Sequence, residues 1–228
     1  MSIWHHFVGL LFPDLCVSCN EVLLKGEKLI CTACLVNLPV ANIGFSNSQL
    51  LENRFAGKVN IRAVHSFLKF TKGGNVQNIL HSLKYKNRQE VALFMGNLFG
   101  DYLKNNNQNI EIDVLIGVPL HPQKLILRGF NQSDLIAKGI SEVLNIPFEV
   151  AAVIRNFNTA TQTKKTRIER YLNVENVFEV VEKDRIFGKK IGLVDDVLTT
   201  GATLEVCAQV LLDAGASEIT ILCLAAAE

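Results

Sequence analysis

The chain has 228 residues, of which 49% are hydrophobic and 20% charged, and its formal net charge at pH 7 is +1. This composition predicts a globular protein with a sizeable core, and the charge balance gives no global electrostatic argument for nucleic-acid binding. No apolar run in the sequence approaches the length of a membrane span. The first thirteen residues lack the basic start and the cleavage site of a signal peptide, so we predict a short amphipathic helix ended by Pro13 and a cytoplasmic protein.

Four of the six cysteines form two Cys-x-x-Cys pairs near the N-terminus, Cys16 with Cys19 and Cys31 with Cys34. Because thiolates are good zinc ligands and each pair can form one tight turn, the spacing predicts a tetrahedral Cys₄ zinc site. The alternative is two disulfides, which a reducing compartment disfavours. Four thiolates leave no open coordination position, so we expect the zinc to be structural. Residues 1–40 are therefore predicted to form a helix followed by a zinc module.

Residues 41–60 show no sustained hydrophobic period and are predicted to be a linker. Beyond them, apolar runs that suit strands alternate with helical patterns. Helices are predicted over 75–86, from a capping box at Asn87 and Glu90, and from an N-cap at Ser133. Strands are predicted over 61–70, 114–118, 148–154, 178–181, 191–194 and 219–224. This alternation predicts an α/β domain over residues 61–228, with a mostly parallel sheet and helices on both of its faces.

The loop after the strand at 114–118 contains Lys124, Arg128 and Gly129. An arginine can hold a pyrophosphate through two hydrogen bonds, and a glycine lets the backbone approach a ligand closely. The loop is therefore a candidate anion site, and the alternative is an exposed basic loop without a ligand.

A second basic segment spans residues 155–170 and contains five basic residues and one acidic residue. Its polar composition predicts a mobile loop that could close over a ligand or contact single-stranded DNA. The alternative is a solvated surface. The residues that would carry either role are Gln162, Lys164, Lys165, Arg167 and Arg170.

The last motif runs from Ile191 to Thr203. Its apolar start predicts a buried strand that stops at Asp195 and Asp196, and a helical pattern closed by Gly215 follows the loop. Between them lies a small, hydroxyl-rich loop of Thr199, Thr200, Gly201, Ala202 and Thr203. A helix N-terminus suits a phosphate, so the carboxylates must face something else, such as ribose hydroxyls or Mg²⁺. The alternative is a capped helix beside two solvated acids.

This motif resembles the 5-phosphoribosyl-1-pyrophosphate (PRPP) motif of the type I phosphoribosyltransferases. The resemblance implies that Asp195 and Asp196 hold the ribose hydroxyls and that residues 199–203 cradle the 5′-phosphate. It also implies that Lys124, Arg128 and Gly129 belong to the pyrophosphate loop and that the 155–170 segment closes over PRPP.

The run from Arg128 to Gln132 narrows the resemblance to the ComF family, the competence-associated proteins that are similar to amidophosphoribosyltransferases. The Leu-Phe-Pro segment before Cys16, the Leu83-Lys-Tyr-Lys86 run and the spaced residues from Arg155 to Phe178 agree with that family. Asn87 and Lys165 depart from it, since many relatives have Gly and Leu there.

The resemblance implies a Mg²⁺-dependent transfer of a phosphoribosyl group from PRPP to an unknown acceptor, with release of pyrophosphate. The alternative function is that of a non-catalytic accessory factor in DNA uptake, which would bind PRPP or single-stranded DNA and the DNA-uptake machinery. Binding and catalysis share the PRPP motif, so the motif does not separate the two.

Overall fold

The computed structural model describes residues 13–41, 45–85, 88–106, 110–156 and 177–227. The helix predicted before Pro13 and the predicted loop residues Gln162, Lys164, Lys165, Arg167 and Arg170 lie outside these ranges. The described helices are α1 (Thr32–Val36), α2 (Phe45–Glu52), α3 (Asn75–Ser82), α4 (Gln89–Asn105), α5 (Pro122–Arg128), α6 (Gln132–Leu144) and α7 (Ala202–Asp213). The described strands are β1 (Ala63–Phe70), β2 (Val114–Gly117), β3 (Phe148–Glu149), β4 (Val153–Arg155), β5 (Phe178–Val180), β6 (Lys190–Leu198) and β7 (Glu218–Ala227).

Five strands form one sheet in the order β1-β7-β6-β2-β3, and every neighbouring pair is parallel. One face of the sheet packs against α3, α4 and α6, and the other packs against α7. The central strands are nearly continuous apolar runs because both of their faces are covered. The predicted α/β architecture with a mostly parallel sheet is confirmed.

Two of the predicted strands are not in the parallel sheet as expected. The run over 148–154 divides at Ala151, whose φ is 61°, so that β3 joins the sheet and β4 turns away from it. The strand predicted over 178–181, β5, then pairs with β4 in a separate antiparallel ribbon. The apolar pattern identifies both runs, but it does not reveal the left-handed backbone at Ala151 that separates β3 from β4.

The segment predicted as a linker has regular structure and fixed contacts. It contains α2, and the Phe55 side chain that follows α2 is fully buried. Just before it, the chain runs antiparallel to β1, where Ala41 N donates to Phe67 O at 2.8 Å and Lys69 N donates to Pro39 O at 2.8 Å. These residues therefore cover the outer edge of β1, and the segment predicted as a linker contains a helix.

The cysteine segment packs on the same face of the sheet as α3. Cys16, Val17 and Ile30 belong to the hydrophobic cluster of that face. The Asn78 side chain of α3 also donates to Ser18 O at 2.7 Å. The boundaries of a separate N-terminal domain remain a prediction.

Helix ends differ from the predicted caps in two places. Helix α4 begins at Gln89, and its N-cap residue Arg88 makes no side-chain capping bond. The described residues at the start of α4 therefore form no capping box. Asn87 itself lies outside those residues. The helix predicted over 75–86 ends at Ser82, which leaves Leu83 and Lys84 in a turn. That turn directs Lys84 toward the site described below.

None of the described helices is both long and apolar enough to cross a bilayer.

Candidate functional site

The two acidic residues lie inside strand β6 and not beyond its end. The ladder with β7 continues to the pair Leu198 and Ala226, past Asp195 and Asp196, so the predicted strand end at Val194 was wrong. Neighbouring strand residues direct their side chains to opposite faces. The Asp196 side chain is buried and that of Asp195 is partly buried, so the two carboxylates have different surroundings.

Asp195 receives its hydrogen bonds from α6 and from its own neighbour. Ser133 Oγ donates to Asp195 Oδ1 at 3.0 Å, and Asp196 N donates to the same oxygen at 2.9 Å. Burial, followed by the charge of Asp196, raises the pKa of the Asp195 carboxyl to about 7. Ser133 is free to make this contact because Asn131, and not Ser133, is the N-cap of α6: Asn131 Oδ1 accepts from Ser133 N at 3.2 Å.

Asp196 is the centre of a polar chain that crosses three segments. Asp196 Oδ2 lies 3.3 Å from Lys84 Nζ and accepts from Gln132 Nε2 at 3.3 Å. Gln132 Oε1 in turn accepts from Arg128 Nη1 at 2.9 Å. The chain Arg128–Gln132–Asp196–Lys84 therefore joins the predicted pyrophosphate loop to the acidic pair and places one cation at each of its ends.

The close approach of α6 to strand β2 brings these groups together. A Cβ on Gly117, the last residue of β2, would lie 2.3 Å from Asp134 Oδ1 and 2.7 Å from Asp134 N. Only glycine fits at that distance, so the first turn of α6 reaches the carboxyl ends of β2 and β6. Burial raises the pKa of Asp134 to about 6.

The predicted pyrophosphate loop is mostly the short helix α5. Gly129 ends α5 with φ 78° and turns the chain into α6, as its type allows. Arg128 reaches the acidic pair through Gln132, whereas Lys124 lies exposed on the first turn of α5. Lys124 is not among the described residues that contact Asp195 or Asp196.

The predicted phosphate loop connects β6 to α7. Gly201 has φ 84° and is the N-cap of α7, and Glu205 N donates to Gly201 O at 2.8 Å in the first helical turn. Thr199, Thr200 and Thr203 are exposed, so their hydroxyls can reach a ligand. The first N–H groups of a helix have no partner within that helix and carry its positive dipole end, which suits a phosphate.

Four residues near the acids or the loop were absent from the predicted site. Lys84, Gln132 and Ser133 contact the acids, and Arg54 donates to the carbonyls of Leu198 and Thr199. Lys84 and Gln132 lie in runs that carried the family resemblance, which was a signal for them. Ser133 was assigned to helix capping, and Arg54 lies in the supposed linker, where the sequence has no pattern that points to a site.

The four cysteines of the two pairs form a compact cluster. The Sγ atoms of Cys16, Cys19, Cys31 and Cys34 all lie within 4.8 Å of one another, and the cysteines are free thiols. The Sγ atoms of Cys19 and Cys31 are 3.9 Å apart, close to the roughly 3.8 Å that a tetrahedral site with Zn–S bonds of about 2.3 Å requires. The backbone N–H of Cys31 also donates to Cys16 Sγ at 3.3 Å. The cluster can hold a metal ion.

Comparison with known proteins identifies a domain match and several relatives of this chain. Residues 131–228 match the phosphoribosyl transferase domain. DNA utilization protein YhgH of Escherichia coli (strain K12) is 27% identical over 235 residues, which cover 94% of this chain and 98% of that protein. Competence protein ComFC of Bacillus subtilis (strain 168) is 29% identical over 211 residues, covering 90% and 82%, respectively. Competence protein F of Haemophilus influenzae is 36% identical over 110 residues, covering 48% of each chain.

Among solved structures, the glutamine PRPP amidotransferase from B. subtilis is similar at 25% identity and a TM-score of 0.43, over 58% of this chain and 26% of that one. YhgH of Escherichia coli and ComFC of Bacillus subtilis each match at least 90% of this chain. The similarity to these relatives and the phosphoribosyl transferase domain support the ComF family for this chain.

Proposed function

We propose that this protein binds PRPP at the carboxyl ends of β2 and β6 and transfers the phosphoribosyl group to a nitrogen acceptor, with release of pyrophosphate. The observation that carries the proposal is the polar chain Arg128–Gln132–Asp196–Lys84, which places two cations beside an acidic pair and next to a phosphate loop. Each part of PRPP would thus meet a group of complementary chemistry.

The 5′-phosphate would bind at the N-terminus of α7, held by backbone N–H groups and by the hydroxyls of Thr199, Thr200 and Thr203. The ribose hydroxyls would donate to Asp195 and Asp196. Hydroxyl donors would replace the hydrogen bond from Ser133 or the ion pair with Lys84, so the free site already carries the polarity that the sugar requires.

The pyrophosphate would lie between Arg128 and Lys84. Arg128 belongs to the predicted pyrophosphate loop, and Lys84 approaches the acidic pair from the turn after α3. Carboxylates and phosphate oxygens are the hard oxygen ligands that Mg²⁺ prefers, so Asp195, Asp196 and the phosphate oxygens of the ligand would suit a bound Mg²⁺ ion. When bound, Mg²⁺ would neutralise charge on the leaving pyrophosphate.

In the reaction, the bond from the anomeric carbon to the pyrophosphate oxygen breaks, and a bond to the acceptor nitrogen forms as that nitrogen loses a proton. Positive charge develops on the ribose ring at the transition state. The carboxylates of Asp195 and Asp196 would oppose that charge, and Arg128 and Lys84 would stabilise the departing anion. The acceptor is left unassigned.

We further propose that the cysteine cluster holds one zinc ion. Four thiolates leave no position for a substrate, so the zinc would be structural and would fix the module against α3. Reduced thiols at this site also fit a reducing, cytoplasmic compartment.

The test of PRPP binding is thermal unfolding with and without PRPP and Mg²⁺. A ligand that binds only the folded state raises its stability, by about 2.7 kcal/mol at a hundred times the dissociation constant. The double variant Asp195→Asn with Asp196→Asn should lose this stabilisation and keep its secondary structure. Asp213→Asn, at the far end of α7, is the matched control and should retain it. If PRPP and Mg²⁺ stabilise the double variant as much as the parent protein, the assignment of the site is wrong.

The second candidate function is DNA handling without turnover, which the names of the relatives favour: DNA utilization protein and competence protein. The basic 155–170 segment would then contact single-stranded DNA. Arg167→Ala with Arg170→Ala should weaken single-strand binding and reduce its salt dependence by about two contacts. If the loop instead closes over PRPP, the same variant should slow pyrophosphate release and leave PRPP bound. A variant unchanged in both assays would assign the segment to neither role.

A further inference from the structure

A residue outside all of the sequence motifs donates hydrogen bonds to the backbone of the predicted phosphate loop, residues 199–203. Arg54 follows α2, and its Nη1 donates to the carbonyl of Thr199 and, at 3.4 Å, to that of Leu198. Its Nη2 donates to the carbonyl of Ala227. One guanidinium thus binds the end of β6, the first residue of the loop and the end of β7.

These contacts determine the direction of the loop amides. In a planar trans peptide the C=O and the N–H of the same unit point in opposite directions. Because the Thr199 carbonyl faces Arg54, the N–H of Thr200 points away from Arg54. The same geometry directs the N–H of Thr199 away from the guanidinium that binds the Leu198 carbonyl. Arg54 therefore turns two loop N–H groups toward the opposite side of the loop.

The residues after Arg54 support the turn of the loop. Phe55 is fully buried, and its ring atoms lie 3.1 Å from where a Cβ on Gly201 would stand. Lys58 Nζ donates to Arg54 O at 2.9 Å and lies 3.7 Å from Glu205 Oε2 in the first turn of α7. Residues 54–58 thus contact the loop at Thr199, pack beneath Gly201 and reach the first turn of α7.

We propose that Arg54 is a positioning residue for the 5′-phosphate: it holds the loop carbonyls back so that the amides of Thr199 and Thr200 face the ligand. The inference rests on the proposed PRPP function and deepens it, because it assigns a role to a segment outside the matched domain. Arginine suits the role since its planar fork binds several carbonyls on two strands at once, whereas a lysine ammonium is a single point of charge.

The experiment compares two ligands that occupy different parts of the site, ribose 5-phosphate and pyrophosphate with Mg²⁺, by calorimetric titration. Arg54→Ala should weaken ribose 5-phosphate by about tenfold, since the loop loses charge-assisted hydrogen bonds that orient it, and should leave pyrophosphate affinity unchanged. Arg54→Lys should recover part of the lost affinity for ribose 5-phosphate. This variant also serves as the test if Arg54→Ala does not fold.

The control is Arg62→Ala. Arg62 lies just before β1 and pairs with Glu218 at 2.7 Å and Glu111 at 3.4 Å, at the opposite end of the sheet from the loop. This variant should bind both ligands like the parent protein. Wild-type affinity of Arg54→Ala for ribose 5-phosphate would overturn the inference, and so would an equal loss of both ligands, which would indicate general destabilisation. A parent protein that binds neither ligand would overturn the proposed function itself.

Discussion

The cysteine module and the phosphoribosyl site organise their chemistry in opposite ways. All four candidate metal ligands lie between residues 16 and 34, and two short turns bring them together. The proposed phosphoribosyl site takes its groups from residues 54, 84, 128–133 and 195–203, which meet only after the parallel sheet has formed. The first arrangement is encoded locally, and the second depends on the whole fold.

This difference has an energetic counterpart. The module has few buried side chains of its own, with Cys16, Val17 and Ile30 packed against the face that carries α3, so we expect the metal to stabilise it. The phosphoribosyl site stands on fully buried strands, where each covered Leu or Ile side chain contributes about 1.5–3 kcal/mol. A substitution that disrupts one region should therefore leave the other region folded.

The largest expected effect is the removal of one metal ligand. Cys31→Ser should abolish zinc binding and unfold the module, because structural zinc contributes about 10–16 kcal/mol of apparent binding energy in small zinc-binding peptides. The parallel sheet should persist, since its strands begin at Ala63. Metal analysis of protein purified under reducing conditions, with circular dichroism, is the measurement. Cys207→Ala, a buried cysteine of α7, is the control and should retain zinc. Zinc retained in full by Cys31→Ser would contradict the four-ligand site.

The second expected effect concerns the cation of the acidic pair. Lys84→Ala should weaken PRPP affinity by about tenfold, because Asp196 loses the ammonium at 3.3 Å and the pyrophosphate loses one of its two flanking cations. Isothermal titration with PRPP and Mg²⁺ measures the change. Lys190→Ala removes a comparable lysine that pairs with Glu111 at the other end of β6, and it should bind like the parent protein. Equal affinities for all three proteins would remove Lys84 from the site.

The same contrast explains what could be predicted from the sequence. The cysteine pairs and the β6–α7 motif are contiguous, so spacing and residue type were enough to predict both. Arg54 could not be predicted, because its role depends on contacts with Thr199 and Ala227, 145 and 173 positions away along the chain. The division of the 148–154 run was also hidden, since a single left-handed residue, Ala151, separates β3 from β4 without changing the apolar pattern.

The remaining expected effect is a dependence of stability on pH that Asp195 introduces. Burial and the charge of Asp196 raise its pKa from 3.8 to about 7. As the pH rises from about 4 to about 7, the unfolded chain loses this proton before the folded protein does, so the free energy of unfolding falls. Above pH 7 both states are ionised and the loss is complete. Asp195→Asn should therefore be stabilised relative to the parent protein at pH 8 and much less so at pH 4.

Melting temperatures of the two proteins without ligand, measured from pH 4 to pH 8, test this prediction. The difference between them isolates Asp195, because other titrating groups, such as Asp134 with its pKa raised by burial to about 6, are present in both proteins. Asparagine retains an oxygen that can accept from Ser133, so the variant loses the ionisation and keeps that contact. A difference that stays constant with pH would show that Asp195 is ionised in the folded protein throughout this range, which would contradict its raised pKa.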